Sequence, residues 1–324
     1  MRPTLLVLIS SLLAAVEVGE IDRLYLLDEA RTRNLGVKVY HPIGVPGPLP
    51  LILVSHGLGG SQWGYAYLGR HLAERGYVSI HCTHPGSDWL LWDGKGLGAA
   101  MASLRKADED PAIWRERPRD LIFLLDRLAV LQQQAPALAG RLDATRVAVI
   151  GHSLGAYTAL ALAGLKPTLP EGQVDLSDAR LRAVVALSPI GGGTFQQPGA
   201  WAGITRPVLL VTGTADEQPL GGSEHGLAWR MQAWDGIPEG VKSMLVLDGA
   251  THMTFAGGGM GEKPDPARMA SVCTAVTTFL DARLAGRDFT PPEIVGGRWL
   301  PAQRHASAES AAPTEADAQP DRAR

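Results

Sequence analysis

The residues best suited to do chemistry lie in Gly151-His152-Ser153-Leu154-Gly155. This run follows the β-favouring Arg146-Val147-Ala148-Val149-Ile150 and precedes the helix-favouring Ala156-Tyr157-Thr158-Ala159-Leu160. Gly-x-Ser-x-Gly between a strand and a helix is the pattern of a nucleophile elbow, a sharp turn that presents a serine hydroxyl. Its glycines omit Cβ atoms where strand and helix crowd together, so Ser153 can be held in a strained conformation with its Oγ exposed. An ordinary strand-to-helix turn is the alternative. A serine hydroxyl is a weak nucleophile at neutral pH, so the elbow needs a base to take its proton and a carboxylate to orient that base.

The elbow is similar to that of α/β-hydrolases, and this resemblance implies that the acid and then the histidine follow on loops after later strands. Asp216 stands just past Val208-Leu209-Leu210-Val211, at the strand end where an acid would reach the elbow. Glu217 is its nearest competitor, and a turn cap is the non-catalytic alternative. Asp248 is a weaker candidate, only four residues before the proposed base. Among nine histidines, chain order selects His252, which follows the last long apolar strand and precedes the last helix. His225 is disfavoured because no strand separates it from Asp216.

A tetrahedral oxyanion also needs donors. The Leu154 N–H, at the start of the elbow helix, is one candidate. The Leu58 N–H, in Ser55-His56-Gly57-Leu58-Gly59-Gly60 after an early strand, is the other. His56 reads as a brace for that loop. A tight turn or a phosphate cradle are the competing readings, and the absence of a Walker lysine and of a G-x-G-x-x-G frame argues against nucleotide binding. Trp63, Tyr65, Trp89 and Trp92 lie where loops overhang the serine and are candidates for an acyl or aryl pocket. Alternatively, Trp89 and Trp92 anchor a long loop. His81, Cys82 and His84 invite a metal reading, but adjacent strand residues face opposite sides and no fourth ligand is near. The expectation is therefore no metal and no cofactor.

The elements that must position these residues alternate between strand and helix patterns. Residues 21–27 and 36–40 read as an antiparallel pair, and 51–54, 77–82, 146–150, 183–187, 208–211 and 243–247 as short, almost wholly apolar strands. Tyr65, Leu68 and Leu72 have helical spacing closed by Gly76. A strong helix is expected with Pro118 in its first turn and Leu121, Leu124, Leu125, Leu128 and Leu131 on one face. Met269, Val272, Val276, Phe279 and Leu280 mark the last helix. Wholly apolar strands alternating with helices imply an α/β fold, a mostly parallel sheet with helices on both faces. Weakly patterned residues 83–113, 166–182 and 191–205 read as loops over the site.

At 324 residues with 45% hydrophobic content and a net charge of −3, the chain has no electrostatic case for binding nucleic acid. Two cysteines, Cys82 and Cys273, read as buried thiols, with a single disulfide as the alternative. Residues 1–16 resemble a signal peptide, with Arg2 before an apolar run too short to span a bilayer. Export to the periplasm or beyond is the favoured location, and a cytoplasmic protein with an apolar extension the alternative. Residues 17–302 read as one catalytic domain, and 303–324, nearly free of large apolar residues, as a disordered tail. Oligomeric state is not legible.

Taken together, these motifs resemble the α/β-hydrolase superfamily. More narrowly they are similar to platelet-activating-factor acetylhydrolases and bacterial proteins related to dienelactone hydrolase. The resemblance rests on Asp28-Glu29-Ala30-Arg31-Thr32-Arg33, Tyr40-His41-Pro42, the Ser55–Gly60 and Gly151–Gly155 runs, and Gly249-Ala250-Thr251-His252-Met253-Thr254-Phe255, across residues 20–285. It implies Ser153 as nucleophile, Asp216 as orienting acid, His252 as base, and Leu58 and Leu154 as oxyanion donors. Dienelactone hydrolases use a cysteine where this chain has Ser153, so that activity is not implied. The expected activity is a serine carboxylesterase acting on small short-chain or aryl esters. Lipid acetyl esters and polyesters are further substrate classes, acyl transfer is a rival reaction, and a non-catalytic binding protein on the same scaffold is the rival of another class.

Overall fold

A computed structural model describes residues 16–220 and 223–301. All but the last residue of the leader expected over 1–16, and the whole tail expected over 303–324, lie outside the described residues. Strands β1 (Val18–Asp28) and β2 (Arg33–Pro42) pair antiparallel and open the sheet. Then come β3 (Leu49–Ser55), helix α1 (Ala66–Glu74) and β4 (Val78–Cys82). Helices α2 (Leu97–Asp108), α3 (Pro111–Asp126) and α4 (Leu128–Gln134) lead to β5 (Leu142–His152) and helix α5 (Leu154–Ala163). A small separate hairpin, β6 (Thr168–Leu169) with β7 (Gly172–Gln173), precedes β8 (Leu181–Leu187) and β9 (Val208–Ala215). Helix α6 (Leu227–Gly236), β10 (Lys242–Thr251), the short α7 (His252–Ala256), α8 (Pro266–Leu284) and β11 (Gly297–Trp299) complete the described chain.

The main sheet has the order β1-β2-β4-β3-β5-β8-β9-β10-β11. Its six central strands, β4 to β10, run parallel, and antiparallel neighbours close both edges. The central strands are buried on both faces, which is why they read as unbroken apolar runs rather than alternating ones. One face packs against α3, α4, α5 and α6, and the other against α1 and α8. Strand β3 has β4 on one side and β5 on the other, and the chain leaves β3 and β5 toward opposite faces. That reversal opens a crevice at the carboxyl ends of the two strands, where ligands enter sheets of this type.

Helix α5 is buried along its whole length, pressed between the sheet and α3. A helix enclosed on all sides has no polar face, and its sequence is accordingly apolar throughout. Cys82 and Cys273 are free buried thiols in the two different clusters, so the sheet separates them. No described helix is long and apolar enough to cross a membrane.

Two expectations need correction. The strong helix does not begin near Pro118. It begins at Pro111, where the Asp110 carboxylate accepts the Ala112 N–H at 2.9 Å, so the Asp-Pro pair supplies both cap and first residue. Leu128 and Leu131 belong to a separate helix, α4. Pro118 sits inside α3, and because it has no N–H the carbonyl of Trp114 loses its helical partner. The Tyr157 hydroxyl of α5 donates to that carbonyl at 2.9 Å. The second correction concerns residues 83–113, which are not a loop: they carry α2, whose buried residues Ala100, Leu104 and Ala107 were too few to produce a clear period.

Candidate active site

Ser153 occupies the turn between β5 and α5 with φ 57° and ψ −121°, a conformation that costs a Cβ-bearing residue about 1–3 kcal/mol. The flanking glycines make the turn sterically feasible. A Cβ on Gly151 would overlap the Gly155 carbonyl, and one on Gly155 would overlap the Ser55 carbonyl at the end of β3. The positive end of the α5 dipole therefore abuts Ser153.

Ser153 Oγ lies 3.1 Å from His252 Nε2, and His252 Nδ1 lies 3.0 Å from Asp216 Oδ1. Three elements bring these groups together: the β5–α5 elbow, the end of β9, and the junction of β10 with α7. A capping box between Thr251 and Thr254 fixes the start of α7, and so the position of His252. Of the competing acids, Glu217 and Asp248 are exposed, whereas Asp216 is buried. His225 stacks on Trp229 with ring centroids 4.5 Å apart and lines a different cavity.

Asp216 accepts far more than one hydrogen bond. Its Oδ2 takes the Thr212 hydroxyl at 2.8 Å and the Ser188 hydroxyl, Oδ1 takes His252, and the Arg230 guanidinium forms an ion pair with Oδ1 at 2.9 Å from Nη2. Burial opposes ionisation of this carboxyl, but the His252 hydrogen bond and the Arg230 charge outweigh it and hold Asp216 below the usual range. Burial likewise holds His252 below the ordinary imidazole value, and Arg230 adds to the effect against the pull of Asp216. With Asp216 ionised, Nδ1 carries the proton as donor and Nε2 is left to accept from Ser153.

Two further networks brace the site, and of the residues that build them only His56 reads as a brace from the sequence. His152, the variable residue of the elbow, receives the Tyr65 hydroxyl at Nδ1 (2.9 Å) and donates from Nε2 to the His252 carbonyl (3.1 Å). Tyr65 in turn accepts the Gly57 N–H at 3.1 Å. The loop after β3, the elbow and the His252 loop are thus joined by one chain of hydrogen bonds.

The second network holds the loop from beneath. His56 Nε2 accepts the His84 N–H at 3.0 Å, so its Nδ1 carries the proton and donates to the Gly57 carbonyl at 2.6 Å. Ser55, His84 and Asp120 form a wholly buried relay with contacts of 2.9 and 3.0 Å, and Arg31 and Arg33 pair with Asp120. Arg117, itself fully buried, reaches Ser55 Oγ at 3.1 Å and also the His56 carbonyl. The Asp28–Arg33 motif contributes through this network. Among the described residues the N–H groups of Leu58 and Leu154 have no protein acceptor.

A cavity of about 370 Å³ opens over Ser153 and His252, lined mainly by apolar groups that include Leu58, Trp92, Met101, Leu104, Met253 and Met260. Tyr65 and Trp92 lie on its wall, and Trp92 Nε1 donates to the Gly59 carbonyl at 3.0 Å. Gly59 has φ +76°, and a Cβ there would strike the indole of Trp92. Trp63 and Trp89 do not line the cavity: they are 48% and 40% exposed and lean on each other with centroids 6.4 Å apart. Sequence adjacency placed them on the right loops but could not fix which way their rings turn. Residues 83–113 do overhang the serine through α2, but 166–182 contribute nothing to this cavity, and 190–196 line a second one that shares Gln218 and Leu220 with it.

His81 is buried and bonded to the Gly64 carbonyl at 3.0 Å, and His84 is committed to Ser55 and Asp120. Among the described residues no group of three or more His, Cys, Asp or Glu side chains could hold a metal ion.

No protein-family model matches the chain. It is 27% identical to cutinase est2 of Thermobifida alba over 202 residues, which is 62% of this chain and 52% of that protein. It is 25% identical to cutinase cut1 of Thermobifida fusca over 203 residues, 62% of this chain and 49% of that one. Bovine platelet-activating factor acetylhydrolase is 23% identical over 236 residues, 64% of this chain and 48% of the relative. The chain thus spans about half the length of the curated relatives it matches. Among solved structures, a ferulic acid esterase from Streptomyces cinnamoneus superposes with a TM-score of 0.61 at 23% identity, covering 88% of this chain and 97% of that one. At that identity the likeness is one of fold.

Proposed function

We propose that this chain, a member of the α/β-hydrolase superfamily, is a serine carboxylic-ester hydrolase that acts on short-chain or aryl esters through an acyl-enzyme. The observation that carries the reading is the run of contacts Ser153–His252–Asp216, at 3.1 and 3.0 Å, on the floor of an apolar cavity. Esters are also what the names of the relatives point to: cutinases, a platelet-activating factor acetylhydrolase and a ferulic acid esterase.

In this mechanism Ser153 Oγ attacks the ester carbonyl carbon while His252 Nε2 takes the hydroxyl proton. The carbonyl oxygen becomes an oxyanion held by the Leu58 and Leu154 N–H groups, which have no other acceptor, at the positive end of α5. Collapse breaks the bond to the alkoxide, which leaves as the alcohol with the proton from Nε2. A water then loses its proton to Nε2 and attacks the acyl carbon, and Oγ recovers the proton as the acid departs. No step calls for a cofactor or a metal. The largely apolar wall supports recognition of an acyl or aryl group rather than a charged one.

The test is hydrolysis of p-nitrophenyl esters from C2 to C12 by the purified protein beside Ser153→Ala. The expected result is turnover by the wild type, falling on the order of 10³-fold or more in the variant. A folded wild type no faster than Ser153→Ala on every ester would overturn the reading and favour a binding scaffold.

A further inference from the structure

Arg230 is fully buried, yet it is absent from the cavity wall and from the chemistry just described. It enters from α6 and places Nη2 2.9 Å from Asp216 Oδ1 and 3.0 Å from His252 Nδ1. Its Nε donates to the Asp216 carbonyl at 2.9 Å, and Nη1 to the carbonyls of Ser188 and Pro189 at 3.1 and 3.0 Å. Those bonds fix the guanidinium plane. We propose that Arg230 is a positioning residue whose buried charge, held against both Asp216 and His252, keeps the free base available at mildly acidic pH. The proposal rests on the triad reading above.

The carboxylate of Asp216 accepts hydrogen bonds from His252, Ser188 and Thr212. Arg230 Nη2 lies 2.9 Å from Oδ1 as an ion pair and 3.0 Å from His252 Nδ1, so it acts on the Asp216–His252 pair through its buried charge.

The charge argument concerns the whole site. The groups facing His252 are Asp216 just after β9, Arg230 from α6, Ser188 after β8, and Ser153 and His152 from the elbow, the last with its ring centroid 4.6 Å away. Glu262 adds a weaker field from the loop beyond α7. Burial holds His152 well below the ordinary imidazole value, so it is neutral. Asp216 and Arg230 therefore cancel in the resting site, and an imidazolium there would be an uncompensated buried cation. In the transition state the imidazolium appears together with an oxyanion, and the site is neutral again. Arg230 thus disfavours the protonated base at rest and leaves it unpenalised when the reaction needs it.

The experiment compares Arg230→Gln, which keeps a donor but not the charge, with Arg230→Lys, which keeps the charge but not the fork. The readout is the pH profile of kcat/KM on p-nitrophenyl butyrate. We expect the acid limb of Arg230→Gln to move up by about one pH unit or more. Arg230→Lys should keep the limb near that of the wild type, and KM should change less than about threefold in both, because Arg230 touches no cavity surface. An unmoved limb in Arg230→Gln, or an equal shift in both variants, would overturn the proposal and leave Arg230 a packing residue. Should neither variant fold, Arg230→Met, which keeps bulk but not charge, replaces them, and NMR titration of the His252 imidazole in Ser153→Ala with and without it decides the matter. A midpoint raised by Arg230→Met supports the proposal, and an unchanged one overturns it. That titration needs no turnover, so an inactive wild type would sink the esterase reading and leave this test intact.

Discussion

Tyr65→Phe separates two jobs of one residue. Its ring lines the cavity, while its hydroxyl links the Gly57 N–H at 3.1 Å to His152 Nδ1 at 2.9 Å. Burial pushes that hydroxyl up to about 12, so it remains a donor throughout the working range. The substitution keeps the ring and strands two buried polar groups. Each such orphan costs about 1–3 kcal/mol, which places the loss of stability at about 3 kcal/mol. For a domain of this size that corresponds to a fall in Tm of roughly 5 °C. The same cut frees the loop that carries the Leu58 N–H from the His252 loop. A loss of about 1.4 kcal/mol of transition-state stabilisation, or tenfold in kcat, is the expected kinetic cost. KM should barely change, because the cavity wall is intact. Thermal unfolding and p-nitrophenyl butyrate kinetics read both quantities. A Tm within 1 °C of the wild type together with kcat within about twofold would refute the idea that this chain of hydrogen bonds holds the site.

Two more outcomes follow from the same structure. Burial keeps His56, His84, His152 and His252 below the ordinary value of 6.5 and His81 at about 4, so all five are neutral in the folded protein at pH 7. The unfolded chain binds these protons below pH 6.5, so stability is full above that pH and falls as pH drops toward the folded values. His81 alone loses about 3 kcal/mol between pH 6.5 and 4. Urea midpoints at pH 8, 6, 5 and 4 should decline steeply below 6, and a flat series would contradict the buried-histidine account. Leu104→Trp, on the cavity face of α2, should shorten the acyl chain that is accepted while sparing acetyl esters. An unchanged chain-length profile would place the acyl group elsewhere.

Much of the site was legible because its logic is local or ordinal. Ser153 is fixed by a five-residue steric requirement, and Asp216 and His252 by chain order on a parallel sheet, where successive strand ends share an edge. The supporting groups were not legible for the opposite reason. Arg230, Ser188 and His152 act through contacts separated by 14 to 100 residues, and no spacing in the chain marks such pairings. Arg230 also sits on a helix with little amphipathic contrast, so a charge turned inward left no trace in the pattern. The start of α3 was misplaced because a proline suggests a first turn, and here the Asp110-Pro111 pair carried that role while Tyr157 satisfied the carbonyl freed by Pro118. The exposed Trp63 and Trp89 show the limit of proximity in sequence as a guide to side-chain direction.

The central claim is that Ser153 is a nucleophile made reactive by His252. Its most direct test is intact-mass and peptide analysis after reaction with a p-nitrophenyl alkylphosphonate, which traps an activated serine covalently. The account predicts one equivalent of label, located on Ser153, with loss of esterase activity in proportion, and negligible labelling in His252→Ala. Label on another residue, or full esterase activity with Ser153 unmodified, would contradict it.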